Sequence, residues 1–406
     1  MATNTGTSHV YGIERHTLCL TALSDPSTNR FALATLGITE PAEIHVVDFD
    51  SDEAQLNSHV YKHSSGIRAL ASLPWDPQLL VAINSTGTET QLLKLPSDGS
   101  ESMDCVAALL QPSTPSQRAP SMLEGGAHAV VAHPLEHCKH VALVASPPSG
   151  SVSVFDFTRN EEPALKFMLG SSIRSAHQMD DIEAVAFHPA SLSLLSTTDG
   201  TCLRSWDMRA DPQRPAQTMV IESAHSARIR ALDYNPNLPY IIATAGDDGC
   251  VRIWDARSPN APLTEIANHT HWIYSVSFNP NHDQLLLSSG GDGLVNLESV
   301  VSISSARVAT THSFGSSNNN SNENGNHSDG SAVARTSIDD DRDNDSDDSE
   351  SARATDGLVA QFDDHETSVY AARWSQADPW IFASLSFDGR MVINSVPREE
   401  KYKILL

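Results

Sequence analysis

The chain has 406 residues, with 26 lysine and arginine residues against 51 aspartate and glutamate residues, for a formal net charge of −25. This balance lacks the concentrated basic surface that nucleic acid or anionic lipid requires, so we expect neither as a partner. No apolar run approaches the ~18 residues of a membrane span, no secretory signal opens the chain, and the five cysteines form no Cys-x-x-Cys pair, so we expect a cytoplasmic protein without disulfides.

A repeated spacing organises most of the chain. The same interval of 24 residues joins a histidine to a glycine in four places, which are His63–Gly87, His225–Gly249, His269–Gly293 and His365–Gly389. Including weaker copies, seven repeats begin near residues 11, 63, 128, 177, 225, 269 and 365. Short strand-like runs bounded by Gly and Pro predict antiparallel strands in each repeat. The fold class is therefore all-β, with a single seven-bladed β-propeller spanning residues 8–406.

Histidines and a cysteine cluster early in the third repeat. They are His133, His137, Cys138 and His140. Zinc sites use these residue types at short spacings, but no second Cys/His pair completes four ligands, and the group flanks an expected turn between strands. We therefore expect neither a metal nor any other cofactor. Because the sequence also lacks a Gly-rich phosphate loop and a Gly-x-Ser-x-Gly elbow, we do not expect an enzyme.

The repeat between residues 225 and 255 is the most complete, and its closing Trp254-Asp255 resembles the signature dipeptide of WD-repeat proteins. The resemblance implies that His225, Thr244, Asp248 and Trp254 form a buried hydrogen-bond chain that joins three strands. Such a chain is structural, not catalytic, because it satisfies buried polar groups. In the repeat near residue 177, Ser196 takes the place of Thr244. The seventh repeat has Asn394 in place of the tryptophan.

A second implication of the WD-repeat resemblance is a candidate partner-binding surface. Positions three and five after each repeat histidine resemble the residues that ring one mouth of the propeller channel. In this chain, allowing one inserted residue in the fourth repeat, these candidates are Arg68, Asp181, Glu183, Arg228, Arg230, Trp272, Tyr274 and Tyr370. Aromatic and arginine side chains are enriched at interface hot spots. We also expect Arg228 and Arg230 to form a locally positive spot on the acidic body.

An alternative surface follows from a Trp-Asp-x-Arg pattern in two adjacent repeats. It occurs as Trp206-Asp-Met-Arg209 and as Trp254-Asp-Ala-Arg257. The pattern resembles a motif by which substrate receptors dock on the adaptor of a cullin-type ubiquitin ligase. An arginine just beyond a strand presents a guanidinium fork of fixed geometry. The alternative interpretation is thus a ligase substrate receptor that uses Arg209 and Arg257.

The repeat pattern breaks between the sixth and seventh copies. Residues 313–357 are rich in Asn, Ser and Asp, with almost no large apolar side chains. Such a segment cannot bury enough apolar surface to offset its ordering entropy. We predict one long, disordered acidic insertion within a propeller loop.

The two ends of the chain carry the most specific resemblance. Ser8-His-Val-Tyr-Gly-Ile13 opens it, and residues 377–394 with the terminal Lys401-Tyr-Lys-Ile-Leu-Leu406 close it. Both are similar to the small WD-repeat family that interacts with the EARP and GARP vesicle-tethering complexes. The resemblance implies a non-catalytic, monomeric adaptor that binds tether subunits at endosomes and the trans-Golgi network. Its implied roles are endosomal recycling, endosome-to-Golgi retrograde transport and dense-core vesicle formation.

Overall fold

The computed structural model confirms the predicted seven-bladed β-propeller, because its strands form seven sheets of four strands each. The structure describes residues 8–37, 41–96, 103–110, 126–145, 151–158, 163–169, 182–209, 216–306 and 355–406. All statements about contacts below refer to these residues. Asp181, one of the expected surface residues, lies outside them.

The strands follow one another in chain order, four to a blade. The first is β1 (His9–Gly12), and blade one then contains β2 (Thr17–Ala22), β3 (Asn29–Thr35), β4 (Ala42–Asp50) and β5 (Gln55–His63). Blades two and three contain β6 (Ile67–Leu73), β7 (Asp76–Asn84), β8 (Thr90–Lys94), β9 (Asp104–Leu110), β10 (Ala127–Ala132), β11 (His140–Ala145), β12 (Val152–Asp156) and β13 (Ala164–Leu169). Blades four and five contain β14 (Val185–Phe187), β15 (Leu194–Asp199), β16 (Cys202–Asp207), β17 (Ala216–Ile221), β18 (Ile229–Tyr234), β19 (Ile241–Gly246), β20 (Val251–Asp255) and β21 (Thr264–Ile266). Blades six and seven contain β22 (Ile273–Phe278), β23 (Leu285–Gly290), β24 (Val295–Ser299), β25 (Gly357–Phe362), β26 (Val369–Trp374), β27 (Ile381–Ser386) and β28 (Arg390–Ser395).

The ring is closed by the N-terminal strand, which the repeat pattern does not predict. β1 pairs with β28 and supplies the outer strand of blade seven, with His9 opposite Ile393 and Gly12 opposite Arg390. The chain then enters blade one, so the two ends of the protein share a single sheet. The ring of blades leaves only short, protected strand edges, and that protects the fold against edge-to-edge association.

The apolar core lies between blades. One cluster joins Phe31 and Leu33 of blade one to Ile381 and Ile393 of blade seven, and others join each remaining neighbouring pair in the same way. In blade five, β19 is buried throughout, whereas the inner strand β18 has two half-buried residues among four buried ones. Every blade therefore depends on its neighbours for burial.

The glycines of the repeat lie in the turns between the second and third strands. Gly249 has φ +72° and Gly389 has φ +87°, a region that residues with a Cβ rarely adopt. At Gly389 a Cβ would also come within 2.3 Å of the Arg15 carbonyl oxygen of blade one. The glycine at the end of each 24-residue interval is thus explained by a turn whose backbone conformation only glycine adopts without strain.

The chain ends in α1 (Arg398–Leu405), and a short 3-10 turn (Val301–Ile303) follows β24. Ile404 of α1 packs against the cluster between blades six and seven, and the Lys401 ammonium lies 5.7 Å from the centre of the Trp380 ring. In the part of the chain that the structure describes, no helix is long and apolar enough to cross a bilayer.

Most of the predicted acidic insertion lies outside the described residues, from 313 to 354. The last predicted residue, Gly357, is described and begins β25, where it pairs with Ser299. A deletion that removes the insertion therefore has to end before this strand begins.

Deletion of residues 315–354 is expected to leave the stability of the propeller nearly unchanged. The segment is rich in Asn, Ser and Asp, and it enters the chain between two paired strands of one blade. Thermal unfolding followed by circular dichroism checks this. Loss of the cooperative transition, or a large fall in its midpoint, would show that the segment contributes to folding.

Candidate protein-interaction surface

One end of the propeller carries an extra residue at the start of the inner strand in six of the seven blades. In blade five the pairing of β18 with β19 shifts between Ile229 and Ala231, so that Arg230 is the additional residue of a β-bulge. The same shift occurs in five other blades, at Leu18, Arg68, His128, Tyr274 and Tyr370. Glu183 lies at the corresponding place of blade four, just before β14. Because inner strands of neighbouring blades contact one another around the ring, these residues encircle one mouth of the channel.

His128 belongs to this ring and was missed by the expected repeat boundaries. The repeat spacing predicts that it is the first histidine of the third repeat, but it lies inside β10, at the position equivalent to that of Arg230 in β18. The loop before β10 differs in length from the corresponding loops of the other blades. Counting five residues from the repeat histidine therefore did not reach the residue of this blade that is equivalent to Arg230. Aligning the apolar residues Ala127, Ala129 and Val130 with Ile229, Ala231 and Leu232 of the equivalent strand in blade five would have found it.

An aromatic arc forms half of the mouth. The Arg230 guanidinium carbon lies 4.8 Å from the centre of the Trp272 ring and 5.5 Å from that of Tyr274. Tyr274 stacks on Tyr370 with ring centres 4.5 Å apart, and Tyr370 lies 5.9 Å from Phe387. We call Arg230, Trp272, Tyr274, Tyr370 and Phe387 the aromatic arc. Cation–π and stacking contacts of this kind fix the directions of large side chains before any partner arrives.

Ion pairs form the other half of the mouth. The Arg228 guanidinium bonds to the Glu183 carboxylate at 2.7 Å, and the His128 ring lies 3.3 Å from the Glu183 carbonyl oxygen. Burial lowers the pKa of His128, Glu183 opposes this change, and the charge of Arg68 adds to it. Arg68, His128, Glu183 and Arg228 therefore belong to one electrostatic group that continues the aromatic arc around the ring.

The expected locally positive spot is wrong. Arg228 pairs with Glu183, and Arg230 pairs with Asp247 through two hydrogen bonds, one of them 3.0 Å long. Burial disfavours the charged form of Arg230, but Asp247 outweighs it and raises the pKa of the guanidinium. The sequence pattern could not show Asp247, which lies in a turn 17 residues later. The mouth therefore presents oriented, neutralised guanidiniums beside aromatic faces, with the Trp272 side chain 43% exposed.

The four residues of the expected structural chain lie together in blade five. The Trp254 indole donates to the Thr244 hydroxyl at 2.9 Å, that hydroxyl lies 2.8 Å from Nε2 of His225, and Nδ1 of His225 lies 3.0 Å from Asp248. Burial lowers the pKa of His225, so the ring is neutral near pH 7. One assignment then satisfies each group: Trp254 donates to Thr244, Thr244 to His225, and His225 to Asp248. Burial alone would raise the pKa of Asp248, but hydrogen bonds from His225 and Arg252 lower it to about 2.

Other blades contain partial versions of this chain. In blade four the Trp206 indole donates to Thr197 at 3.0 Å, and the expected Ser196 instead contacts the Ser205 and Tyr234 hydroxyls. The turn of this blade is one residue shorter, and that shortening misplaced the expected hydroxyl. In blade seven Ser386 stands between His365 and Asp388. Asn394 occupies the tryptophan position there and donates to Asp364.

The two arginines of the alternative surface lie at the opposite end of the propeller. Each follows the third strand of its blade, whose far end faces away from the mouth. Arg209 bonds to Asp207 and Arg257 to Asp255, both at 2.6 Å, and their side chains are 76% and 62% exposed. Tyr240 also supports Arg257, with its ring centre 3.4 Å from the guanidinium carbon. The structure thus places the two candidate surfaces far enough apart to be tested separately.

The histidine and cysteine cluster of blade three forms internal hydrogen bonds. The Cys138 sulfur lies 2.9 Å from Nδ1 of His140, and the Lys166 ammonium lies 2.7 Å from Nε2 of the same ring. His133 bonds to the Ser191 carbonyl oxygen, while burial lowers its pKa to about 4. Over the described ranges, no three His, Cys, Asp or Glu side chains are arranged to hold a metal ion.

Comparison with known proteins adds to this geometry. A sequence model of the EIPR1 β-propeller family matches residues 5–297, and one of the WD domain, G-beta repeat, matches residues 357–393. The chain is 30% identical to the EARP and GARP complex-interacting protein 1 of Homo sapiens and 29% identical to the EARP-interacting protein 1 of Caenorhabditis elegans, with 98% of each chain covered. It is also 26% identical to the WD repeat-containing protein DWA2 of Arabidopsis thaliana, over 95% of each chain.

Proposed function

The chain belongs to the EIPR1 β-propeller family, and from that premise we propose that it is a non-catalytic adaptor that binds the EARP and GARP complexes. The observation that carries the proposal is similarity along the whole length to relatives named for those interactions. The similarity extends over 98% of this chain and of each relative, so it covers all seven blades. The adaptor would act at endosomes and the trans-Golgi network, in endosomal recycling, retrograde transport and dense-core vesicle formation.

We place the tether contact at the mouth that carries the aromatic arc. Trp272 is exposed and offers a large contact area, and Arg230 beside it is held in place by Asp247. Both side chains therefore lose little conformational entropy when a partner binds. The neighbouring ion pair of Arg228 with Glu183 presents one positive and one negative group to the polar residues of a partner. An amphipathic segment of a tether subunit, with apolar side chains against the aromatic arc and polar side chains beside the ion pair, would match this arrangement.

A second candidate function is the ligase substrate receptor. It is favoured by the matching geometry of Arg209 and Arg257, whose guanidiniums are oriented by identical 2.6 Å contacts in adjacent blades. A partner that contacts both guanidinium groups would bind the end of the propeller opposite the mouth.

Affinity purification of the tagged full-length protein, followed by mass spectrometry, separates these functions. We expect EARP and GARP subunits to be recovered, and recovered equally with an Arg209→Glu, Arg257→Glu variant. Recovery of a cullin-ligase adaptor without tether subunits, lost in that variant, would contradict the adaptor proposal and support the alternative.

A further inference from the structure

Blade one differs from the other blades in its outer strand. β5 has nine residues, and its pairing with β4 continues over all nine positions without a shift. The outer strands of the other six blades have between three and seven residues. Four of them, in blades two, three, four and six, also contain a bulge in their pairing. β5 is therefore the longest regular edge among the described strands.

Sheets in natural proteins protect their outer edges, and β5 has little such protection. Short length, bulges and proline all prevent another strand from pairing with an edge. The sequence of β5 contains no proline, no glycine and no acidic residue. An edge of this kind is a template for strand addition, the mode in which an extended segment of a partner joins a sheet.

The backbone of β5 points alternately toward β4 and toward solvent. The Leu23 amide donates to the Arg30 carbonyl oxygen, so the even-numbered residues of β3 face β2 and its odd-numbered residues bond to β4. By the same alternation the even-numbered residues of β4 bond to the odd-numbered residues of β5. The even-numbered residues of β5 therefore direct their N–H and C=O groups outward. For Leu56, Ser58 and Val60, no described residue bonds to these groups.

Side chains on both faces of β5 offer apolar contacts to an added strand. Leu56 packs against the cluster between blades one and seven, and Tyr61 packs against the cluster between blades one and two. Val60 is 40% exposed, on the same face as Leu56. A β-branched side chain opposite Val60 would remove apolar area from water, because directly opposed residues have Cβ atoms ~4.5–5.5 Å apart.

Charges beside β5 determine which kind of segment fits. Asp50, Asp52 and Glu53 are exposed in the turn that leads into the strand, and the Asp50 carboxylate accepts the amide N–H groups of the other two. A lysine or arginine at one end of an added segment would pair with these carboxylates. Every strand pair of this blade is antiparallel, and the same pairing places that basic residue at the C-terminal end of the segment. A second copy of the chain fits less well, because two bodies of net charge −25 repel each other.

We propose that the outer edge of β5 is a second interaction site, which binds an extended segment of a partner protein as a fifth, antiparallel strand of blade one. The segment is rich in β-branched residues and carries lysine or arginine at its C-terminal end. Main-chain hydrogen bonds supply the attraction, and the acidic turn fixes the direction of the segment. The site lies on the side of the ring, and the proposal does not rest on tether binding at the mouth.

The test is a titration of the full-length protein with the peptide acetyl-Thr-Val-Thr-Val-Thr-Val-Lys-Lys-amide, followed by amide hydrogen exchange in NMR spectra. We expect saturable binding that slows exchange at Leu56, Ser58 and Val60, whose N–H groups point outward. An analogue methylated on every threonine and valine nitrogen should bind at least tenfold more weakly, since it has lost the backbone donors. Absence of saturable binding, unchanged exchange at these three residues, or equal affinity of the analogue would overturn the proposal.

Substitutions on the edge separate backbone pairing from side-chain contact. Val60→Pro removes an outward N–H without removing a bond to β4, so we expect peptide affinity to fall at least tenfold while thermal unfolding stays cooperative. Val60→Thr keeps the N–H and the branched shape and should bind as tightly as the wild type. If Val60→Pro does not fold, Ser58→Pro makes the same change at the preceding outward position. Wild-type affinity in a folded proline variant would overturn the assignment of the edge.

Two further measurements test the direction of the segment and its source. The peptide acetyl-Lys-Lys-Thr-Val-Thr-Val-Thr-Val-amide has the same composition, but antiparallel pairing places its lysines far from the acidic turn, so it should bind at least threefold more weakly. Equal affinity of the two peptides would contradict the proposed direction. In sedimentation equilibrium the protein alone should be a monomer. A dimer that Val60→Pro dissociates would show that a second copy occupies the edge and would contradict a partner segment.

Discussion

Replacing Trp254 with alanine is expected to lower the free energy of unfolding by about 3–5 kcal/mol, the usual cost of removing a buried large aromatic side chain. Trp254 is 3% exposed and packs between blades four and five. Its indole also donates to Thr244, the hydroxyl that connects the strand to His225 and Asp248. The alanine variant therefore leaves a cavity between two blades and removes one donor from a buried polar chain.

Two companion variants separate these contributions in urea denaturation followed by circular dichroism. Trp254→Phe keeps one aromatic ring but removes the N–H and the second ring, so we expect a loss larger than the net ~1 kcal/mol of one hydrogen bond and smaller than that of Trp254→Ala. Trp272→Ala removes a tryptophan that is 43% exposed and should cost no more than about 1 kcal/mol. A midpoint for Trp254→Ala equal to that of the wild type would contradict the structural role of the chain.

The number of blades and the positions of the turns between their second and third strands could be predicted from the sequence. The spacing from each repeat histidine to its glycine reflects a fixed strand length and a turn that requires positive φ, as Gly249 and Gly389 show. Local constraints of this kind can be predicted because they depend on residues that are near one another in the chain. The partners of His225 in blade five, by contrast, were implied by the WD-repeat resemblance and not by the spacing.

Other features depend on residues far apart in the sequence. β1 completes blade seven by pairing with β28 at the other end of the chain, and no local pattern distinguishes it from the first strand of blade one. Asp247 and Glu183 neutralise Arg230 and Arg228 across turns and between blades. A charge predicted from residue type alone is unreliable wherever folding brings a counter-charge to it.

Residues that depart from the repeat pattern inside a regular strand are not distinguished by the spacing. Glu298 replaces a tryptophan without disturbing the strand, because alternation and pairing depend on the backbone and not on that side chain. The displaced register of His128 has a similar origin, since loops of unequal length precede equivalent strands. Both residues become recognisable once the strands of the seven blades are superimposed by their pairing.

The mouth of the propeller is expected to provide the largest share of tether affinity. Arg230→Glu would place a carboxylate beside Asp247 and remove the cation from the faces of Trp272 and Tyr274. Trp272→Ala in the same chain removes the exposed ring. Loss of one hot spot, about 2 kcal/mol, corresponds to about a thirtyfold loss of affinity, so the double variant should lose at least that much.

A matched control lies at the other end of the ring. Arg209→Glu with Leu192→Ala makes the same change in charge and also removes an exposed apolar side chain, since Leu192 is 49% exposed and Arg209 is 76% exposed. We expect this control to retain wild-type affinity. Trp272→Ala alone serves as a further test, because it leaves the pair of Arg230 with Asp247 intact.

The most direct measurement is an equilibrium titration of purified EARP or GARP complex against the wild type, the Arg230→Glu, Trp272→Ala variant and the matched control, each first shown to unfold cooperatively at a similar temperature. The predicted result is a fall in affinity of at least about thirtyfold for the mouth variant alone. Wild-type affinity in the folded mouth variant, or an equal loss in the control, would contradict binding through the aromatic arc.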